Sequence, residues 1–266
     1  MILIACAKIN PYLHVLGKRP DGYHDLDLEF QSVSLADELT ITELPRDIEV
    51  ICTPTATAKA EDNIACKTAL LIKERTNCAK GARISIVKTI PVGAGLAGGS
   101  ADAAAVLLGL NELWSLNLTL PELTRISTEL GSDIAFCLTG GRARGTGRGT
   151  ELTKLPDLEK QWLVLAKPDF SISTAWAYKT FSTDKCPTEL ANHLESVVLP
   201  QYPQIEEIKA ELLALGAVKA LMSGSGSAVF GLMPDQRTAE DVLAKLSSAS
   251  WKRVCHTVDY GVEMNR

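Results

Sequence analysis

The chain has 266 residues, of which 46% are hydrophobic and 22% are charged, a composition that excludes disorder, collagen and coiled coil. A formal net charge of -5 argues against general affinity for nucleic acid or an anionic membrane, so an anionic ligand has to meet a local basic patch. The seven cysteines include no Cys-x-x-Cys pair, which predicts reduced thiols in a cytoplasmic protein and no zinc site.

The N-terminal part of the chain predicts a β-rich opening, one helix and a further strand. Short apolar and β-branched runs, as at residues 13–16 and 38–43, are typical of strands. The apolar start at residues 2–7 predicts a first strand, because it is far shorter than the ~18 apolar residues of a membrane-spanning helix. Asp62 and Asn63 are predicted to cap a helix that runs to residue 73, and residues 82–87 alternate as a strand does.

A glycine-rich turn follows, with the sequence Pro-Val-Gly-Ala-Gly-Leu-Ala-Gly-Gly-Ser-Ala-Asp-Ala-Ala at residues 91–104. Such a turn suits an anion, because glycine lets the backbone approach a phosphate and a helix N-terminus adds about half a positive charge. Ser100 is predicted to cap the helix. Ala97 adds only a methyl group, so phosphate binding is expected to survive there if its φ is negative. Close packing of backbone is the alternative reason for the glycines.

Two better-known glycine motifs fit this turn poorly. A Walker loop needs a lysine where Gly99 stands. The glycines at 93, 95 and 98 match the dinucleotide fingerprint, but the acidic residue expected about 20 positions later at a strand end is missing, because Glu112 falls on the predicted helix.

The rest of the chain predicts mixed helices and strands. Pro121 is predicted to open a helix that ends at Gly131, and Ser132 and Asp133 to start a short one. Residues 140–149 are too rich in glycine for regular structure to be expected. Strands are then predicted at residues 162–166, 229–232 and 254–258, and helices around Trp176 and at residues 205–215 and 239–246. A domain boundary is expected near residues 152–156.

The glycine turn resembles the Pro-x-x-x-Gly-Leu-x-Ser/Gly-Ser-Ala-Ala signature of the GHMP kinases, the family of galactose, homoserine, mevalonate and phosphomevalonate kinases. Four other segments are similar to the branch of that family that acts on a cytidylated methylerythritol. They are Ala-Lys-Ile-Asn at 7–10, Gly-Lys-Arg-Pro-Asp-Gly-Tyr-His at 17–24, Gly-Ser-Asp at 131–133 with the glycines at 140–141, and Met-Ser-Gly-Ser-Gly at 222–226.

The resemblance implies both a fold and a reaction. The fold is α+β with two domains, a ribosomal-protein-S5-like domain at residues 1–152 and a ferredoxin-like domain at residues 153–266, with the active site between them. The reaction is transfer of the γ-phosphoryl group of ATP to the 2-hydroxyl of 4-diphosphocytidyl-2-C-methyl-D-erythritol, in non-mevalonate isoprenoid synthesis.

The resemblance also assigns catalytic roles to Asp133 and Lys8. A carboxylate at Asp133 can accept the proton of the attacking alcohol, and the ammonium of Lys8 can pair with it and stabilise charge on the transferred phosphoryl group. The alternatives are an acid placed by the helix dipole and a solvated lysine at a strand edge.

Substrate contacts are expected from Asn10, Tyr23, His24 and Tyr178, with the two tyrosines as stacking faces and His24 as the reader of the cytosine edge. Solvation of His24 and packing of Tyr178 on a helix face are the alternatives. The ATP site is expected from Asn63, Lys88, Pro91, Val92, Gly93, Ala94, Gly95, Leu96, Ala97, Gly98, Gly99, Ser100 and Ala101. Asn63 and Lys88 can equally be a helix cap and a surface charge.

Magnesium is expected to accompany ATP, since charge on the β- and γ-phosphates has to be neutralised. The sequence leaves its protein ligands open; Ser100 offers the best single oxygen, and no metal-binding cluster is predicted. Arg142, Arg144 and Arg148 suggest a phosphate clamp, but three arginines in a glycine-rich segment are expected to be solvated. The segment 223–226 is expected to support the glycine turn through its backbone.

Four departures from the family pattern stand out. Ala97 replaces a glycine, residues 135–137 replace Pro-Phe-Phe, His193 replaces an acid, and Ser227 with Ala228 replaces Pro-Thr. These departures leave open how the C-terminal side of the expected active site contacts its ligands.

Competing functions are a sibling kinase for homoserine or mevalonate, a non-catalytic ligand sensor and a Rossmann-type dehydrogenase. The sibling has no reason to carry Asp-Gly-Tyr-His at residues 21–24, and a sensor would be expected to lack Asp133. Partners are therefore expected to be small molecules, without nucleic acid or membrane. The sequence does not decide between a monomer and a homodimer.

Overall fold

A long antiparallel hairpin forms the predicted β-rich opening. In the computed structural model, which describes residues 1–265, strand β1 (Ile2–Lys18) pairs with β2 (His24–Leu44) along nearly its whole length, with three register shifts. The remaining strands of this sheet are β3 (Ile48–Thr53), β4 (Gly81–Val87), β5 (Arg142–Gly147), β6 (Glu151–Lys154) and β11 (Val262–Asn265). The order is β11-β1-β2-β4-β3, with β5 between β2 and β6, and only β3 and β4 run parallel.

Four helices accompany this sheet: α1 (Ile64–Thr76), α2 (Gly98–Leu113), α3 (Leu120–Ser127) and α4 (Ile134–Thr139). Helix α2 is buried along most of its length, and its alanines at 101 and 103–105 are enclosed in the core. A Cβ at Gly109 would lie 2.7 Å from a side-chain carbon of Ile41 on β2. Small residues therefore let α2 lie directly on the sheet and bring the glycine turn to its edge.

The second sheet has the order β10-β7-β9-β8 and is antiparallel throughout. Its strands are β7 (Trp162–Lys167), β8 (Lys219–Met222), β9 (Val229–Met233) and β10 (Trp251–His256), and its helices are α5 (Thr174–Thr180), α6 (Glu195–Gln201), α7 (Pro203–Ala214) and α8 (Gln236–Lys245). Strand β11 then returns to pair with β1. The division into residues 1–152 and 153–266 stays a prediction.

Two local expectations were wrong. The segment predicted to be irregular contains β5, because its first two arginines, Arg142 and Arg144, pair with carboxylates on β2 and Gly145 admits the ring of Phe30. Ser100 does not cap α2. The helix starts at Gly98 with Ala97 as the N-cap residue, and Ala97 has a φ of 57°, so the condition of a negative φ at this alanine is not met.

The two sheets meet along β1 and β2. Leu13 pairs with Asn192, and Val33 pairs with Thr257, so backbone bridges join the first sheet to the later part of the chain at two places. Within residues 1–265, no helix has the length and apolar character needed to cross a membrane.

Candidate active site

A cavity of about 1220 Å³ lies between the two sheets. It is lined by nearly all of the residues that the sequence predicts for the site, namely Lys8, Asn10, Tyr23, His24, Asn63, Lys88, Pro91, Val92, Gly93, Ala94, Gly95, Ala97, Gly98, Gly99, Ser100, Asp133 and Tyr178. The exceptions are Leu96 and Ala101, whose side chains are buried in the apolar core. These two residues contribute to the glycine turn through packing and backbone, not through a side chain in the cavity.

The glycine turn is held from both sides. The backbone N–H of Lys8 donates to the Leu96 carbonyl at 3.1 Å, and the N–H of Ala228 donates to the Ala94 carbonyl at 3.0 Å. Ser223 Oγ donates to the Gly95 carbonyl at 3.0 Å. The predicted support of this turn by the second glycine segment is therefore confirmed.

Gly95 is the tightest point of that contact. Its φ is 77°, and a Cβ built there would lie 2.1 Å from the carbonyl oxygen of Ser223. Only glycine fits where backbone passes this close to backbone. The close-packing reading of the glycines is therefore confirmed, and the anion-binding reading stays a prediction, with the N-terminal end of α2 beside the cavity.

Lys8 and Asp133 come together at the floor of the cavity. Lys8 Nζ lies 3.6 Å from Asp133 Oδ2, donates to Asn10 Oδ1 at 2.7 Å and donates to the Gly95 carbonyl at 3.0 Å. The side chain of Lys8 is 5% exposed and that of Asp133 is 35% exposed, so the ammonium is fixed while the carboxylate remains open to a ligand. Asn10 is itself held by donation from Nδ2 to the Glu29 carbonyl at 2.9 Å.

Lys88 is not a surface charge. Its Nζ donates to Asp37 and, at 2.8 Å, to Asp102 Oδ2, and all three side chains are buried at the glycine-turn end of the cavity. Burial would lower the pKa of Lys88, but the two carboxylates raise it, so the lysine is charged. Burial raises the pKa of Asp102. The ammonium of Lys88 lowers this pKa, but the carboxylate of Asp37 raises it further.

Asp37 anchors the entry to the glycine turn. Its Oδ1 accepts from the backbone N–H of Thr89 at 2.6 Å and of Ile90 at 2.9 Å. Asp102 keeps one oxygen, Oδ1, that is enclosed and has no hydrogen-bond partner. Sequence reasoning missed both acids, since Asp37 lies in an unremarkable strand far from the motif.

Asn63 is both a helix cap and a cavity residue. Its Oδ1 accepts from the N–H of Ala65 at 2.9 Å at the start of α1, and the buried side chain lines the cavity. The two readings offered by the sequence are compatible.

Two aromatic side chains, His24 and Tyr178, line the cavity at the end away from the glycine turn. The rings of His24 and Tyr178 lie 5.4 Å apart at 30°. Burial, assisted by Lys18, lowers the pKa of His24, so the ring is neutral near pH 7 and has one donor and one acceptor nitrogen. Burial, with the nearby charge of Asp133, raises the pKa of Tyr178. Neutral polar rings of this kind suit a nucleobase.

The three arginines predicted to be solvated differ in their contacts. Arg142 pairs with Glu29, and Arg144 pairs with Asp27 at 2.7 Å. Arg148 lines the cavity with its guanidinium carbon 3.5 Å from the ring centroid of Tyr23. Its enclosed Nε has no hydrogen-bond partner. Arg148 is therefore a cavity residue that the sequence reasoning set aside.

This arrangement is suited to transfer between two ligands. One end offers backbone N–H groups and a helix N-terminus to phosphates, the other offers aromatic and basic side chains, and a lysine–carboxylate pair lies between them. Among residues 1–265, no group of three or more His, Cys, Asp or Glu side chains could hold a metal ion.

Comparison with known proteins identifies the family. The family described as GHMP kinases N terminal domain matches residues 63–141, and that described as GHMP kinases C terminal matches residues 185–253. A 4-diphosphocytidyl-2-C-methyl-D-erythritol kinase from Gloeobacter violaceus is 42% identical, with 98% of this chain and 96% of the relative covered. The chain belongs to the 4-diphosphocytidyl-2-C-methyl-D-erythritol kinase branch of the GHMP kinases.

Solved structures confirm the α+β fold expected of a GHMP kinase. A crystal structure of 4-(cytidine 5'-diphospho)-2C-methyl-D-erythritol kinase has a TM-score of 0.86 at 31% identity and covers 97% of this chain and 99% of its own. A homoserine kinase from Cytophaga hutchinsonii has a TM-score of 0.75 at 18% identity, covering 99% of this chain and 96% of its own, which shows the fold alone.

As a GHMP kinase, the chain is a small-molecule phosphotransferase that uses ATP. The chain is therefore an enzyme, and both the dehydrogenase alternative and the non-catalytic sensor alternative are wrong.

Proposed function

We propose that this chain transfers the γ-phosphoryl group of ATP to the 2-hydroxyl of 4-diphosphocytidyl-2-C-methyl-D-erythritol, in non-mevalonate isoprenoid synthesis. The relative from Gloeobacter violaceus carries the name of that kinase. The observation that supports the proposal best is the Lys8–Asp133 pair, 3.6 Å apart, between the glycine turn and the aromatic end of one cavity.

Asp133 is the general base of the proposed reaction. Its carboxylate accepts the proton of the 2-hydroxyl as that oxygen attacks the γ-phosphorus, and ADP leaves with the electron pair of the broken P–O bond. Lys8 pairs with the carboxylate and stabilises negative charge on the phosphoryl group in flight. Asn10 and the Gly95 carbonyl fix the ammonium, which limits the reorganisation needed during transfer.

The cytidyl end of the substrate occupies the aromatic end of the cavity. Tyr178 and Tyr23 supply stacking faces, and neutral His24 reads the cytosine edge with a donor and an acceptor. Arg148 adds the positive charge that the substrate's diphosphate requires and braces the ring of Tyr23. Asn10 contacts the substrate near the reacting hydroxyl.

ATP binds with its phosphates on the glycine turn, residues 91–101, and with its base toward Asn63 and the buried Lys88. Magnesium fits the same end, because hard oxygen ligands are available there: the hydroxyl of Ser100 and the enclosed, unpartnered Oδ1 of Asp102. When bound, the ion would neutralise charge on the β- and γ-phosphates. We also propose a cytoplasmic location, which the seven free cysteines support.

The reaction is tested by measuring ADP release with ATP and magnesium against four alcohols: the cytidylated methylerythritol, homoserine, mevalonate and galactose. Turnover is expected on the first alone. Asp133→Asn removes the proton acceptor and is expected to lower kcat roughly 10²- to 10⁴-fold with little change in ATP affinity. The matched control is Asp241→Asn, an exposed acid on α8, which is expected to leave kcat unchanged.

Turnover on homoserine or mevalonate instead would keep the kinase and replace the proposed substrate. Wild-type activity retained by Asp133→Asn would remove Asp133 from the role of base.

A further inference from the structure

His193 stands where the two sheets are joined. Its backbone N–H donates to the Leu13 carbonyl on β1 at 2.9 Å, and its Nδ1 accepts from the N–H of Val15 at 3.2 Å. The ring is therefore tied to the same strand that carries Lys8. This residue takes no part in the reaction proposed above, and the family pattern has an acid at its position.

A stack of three rings runs through His193 toward the cavity. The His14 ring stacks on the His193 ring with a centroid separation of 4.2 Å and an angle of 10°, and the Phe181 ring is also nearly parallel to it, at 6.1 Å and 9°. Phe181 is the residue that ends α5, where its N–H donates to the Ala177 carbonyl at 3.1 Å. Its side chain lines the cavity beside Tyr178. The His193 ring thus backs the wall on which the cytidyl group rests.

The arrangement requires a neutral imidazole. Because Nδ1 accepts from Val15, the ring proton is on Nε2, which is enclosed and has no hydrogen-bond partner. A second proton on Nδ1 would face the Val15 N–H and lose that bond, and it would place a positive charge against the ring of His14. Burial, followed by the effect of His14, lowers the pKa of His193.

Few other ionisable groups face this stack. Tyr12 meets His14 edge-on at 4.8 Å, and beyond it Asp27 is paired with Arg144. On the other side, Cys186 Sγ lies 3.7 Å from the His193 carbonyl. Within residues 1–265, these contacts give protonated His193 no carboxylate partner.

We propose that neutral His193 is a positioning residue that holds Phe181 against the cavity and thereby sets the affinity for the cytidylated substrate, and that its protonation releases this wall. This inference rests on the proposed function for the identity of the substrate. It predicts a KM that rises at acid pH through a group outside the Lys8–Asp133 pair.

The experiment is the pH dependence of both KM values between pH 5.5 and 8 in four proteins. In the wild type, KM for the cytidylated substrate is expected to rise roughly fivefold to tenfold as pH falls through the pKa of His193, below 6.5. His193→Phe keeps the ring and removes the His193 titration, so the rise is expected to be smaller than in the wild type, and the part that remains comes from His24, which contacts the cytosine. His193→Asn removes the ring, so KM is expected to be high at every pH.

His256→Phe is the matched control, because this histidine packs on Trp162 away from the cavity. It is expected to retain the wild-type profile. KM for ATP is expected to follow the same profile in all four proteins. Thermal melting at each pH shows that the variants are folded.

An acid rise as large in His193→Phe as in the wild type would overturn the proposal, and so would a wild-type KM in His193→Asn. Failure of the proposed function looks different: the wild type would be inactive on this alcohol even at pH 8. In that case, NMR of the Phe181 ring decides. Its signals are expected to shift with pH in the wild type and to stay fixed in His193→Phe, and a pH-independent wild-type ring would reject the positioning role.

Discussion

Arg148 shows how the partner of a side chain determines its role. It shares a short segment with Arg142 and Arg144, yet those two are neutralised by carboxylates on β2. The guanidinium of Arg148 instead covers the ring of Tyr23 and lines the cavity. An unpaired cation of this kind is available to an anionic ligand.

Arg148→Gln is therefore expected to raise KM for the cytidylated substrate about tenfold, which corresponds to roughly 1.4 kcal/mol, with little change in kcat. Steady-state kinetics check this. The control is Arg144→Gln, which removes a similar charge from the same strand pair outside the cavity and is expected to leave KM unchanged. Equal effects in the two variants would show that net charge, not contact, is responsible.

Site residues could be predicted from the sequence where they belong to a motif. They could not be predicted where their role depends on being buried beside another charged group. Lys8, Asp133 and the glycines are marked by spacing and resemblance. Asp37 and Asp102 are not, because an acid becomes informative only once it is seen to be enclosed with Lys88. Likewise, nothing in a run of three arginines tells which of them meets an aromatic ring.

Helices and strands were predicted well where the local sequence signals agree with the packing of the folded chain. Asn63 caps α1 as expected, and Pro121 lies in the first turn of α3. Strand β5 was missed because its glycines weaken every local signal, and the strand exists through pairing with β2 and with β6. The pairing with β2 depends on residues more than a hundred positions away, which no local pattern reports.

One residue of the glycine turn, Ala97, has a strained backbone conformation. Ala97 ends the turn with φ of 57°, a left-handed conformation that costs an L-residue roughly 1–2 kcal/mol. Ala97→Gly removes this cost but adds freedom to the unfolded chain, so the free energy of unfolding is expected to rise by up to about 1 kcal/mol. Urea unfolding measures the change.

The same substitution within a helix is the control. Ala210 lies at an exposed position in the interior of α7, and Ala210→Gly is expected to lower the free energy of unfolding by about 0.5–1 kcal/mol. Opposite signs for the two variants are expected. A loss of similar size in both would mean that Ala97 does not carry the strain.

At the scale of the whole molecule, the cavity exists because distant parts of the chain close around β1. The floor comes from β1 and the start of α4, one end from the glycine turn, and the far wall from α5 and the segment after it. The sequence resemblance implied a site between two domains. It could not show that the last strand returns to the first sheet, since β11 is short and carries no distinctive pattern.

Asn192 is the buried link between these parts. Its backbone pairs with Leu13 of β1, and its Nδ2 donates at 2.8 Å to the carbonyls of both Met222 and Gly224, in the segment that supports the glycine turn. Asn192 therefore connects the strand that carries Lys8 to the second glycine segment.

Asn192→Ala would leave two buried carbonyls without a donor, and each unsatisfied group costs about 1–3 kcal/mol. The free energy of unfolding is expected to fall by roughly 2–4 kcal/mol, and KM for ATP to rise because the support of the glycine turn is loosened. Asn111→Ala is the matched control: this asparagine bridges to the backbone of Leu118, away from the cavity. It is expected to lower stability without changing KM for ATP. If both variants lose stability and neither changes KM, Asn192 holds the two sheets together but does not position the glycine turn.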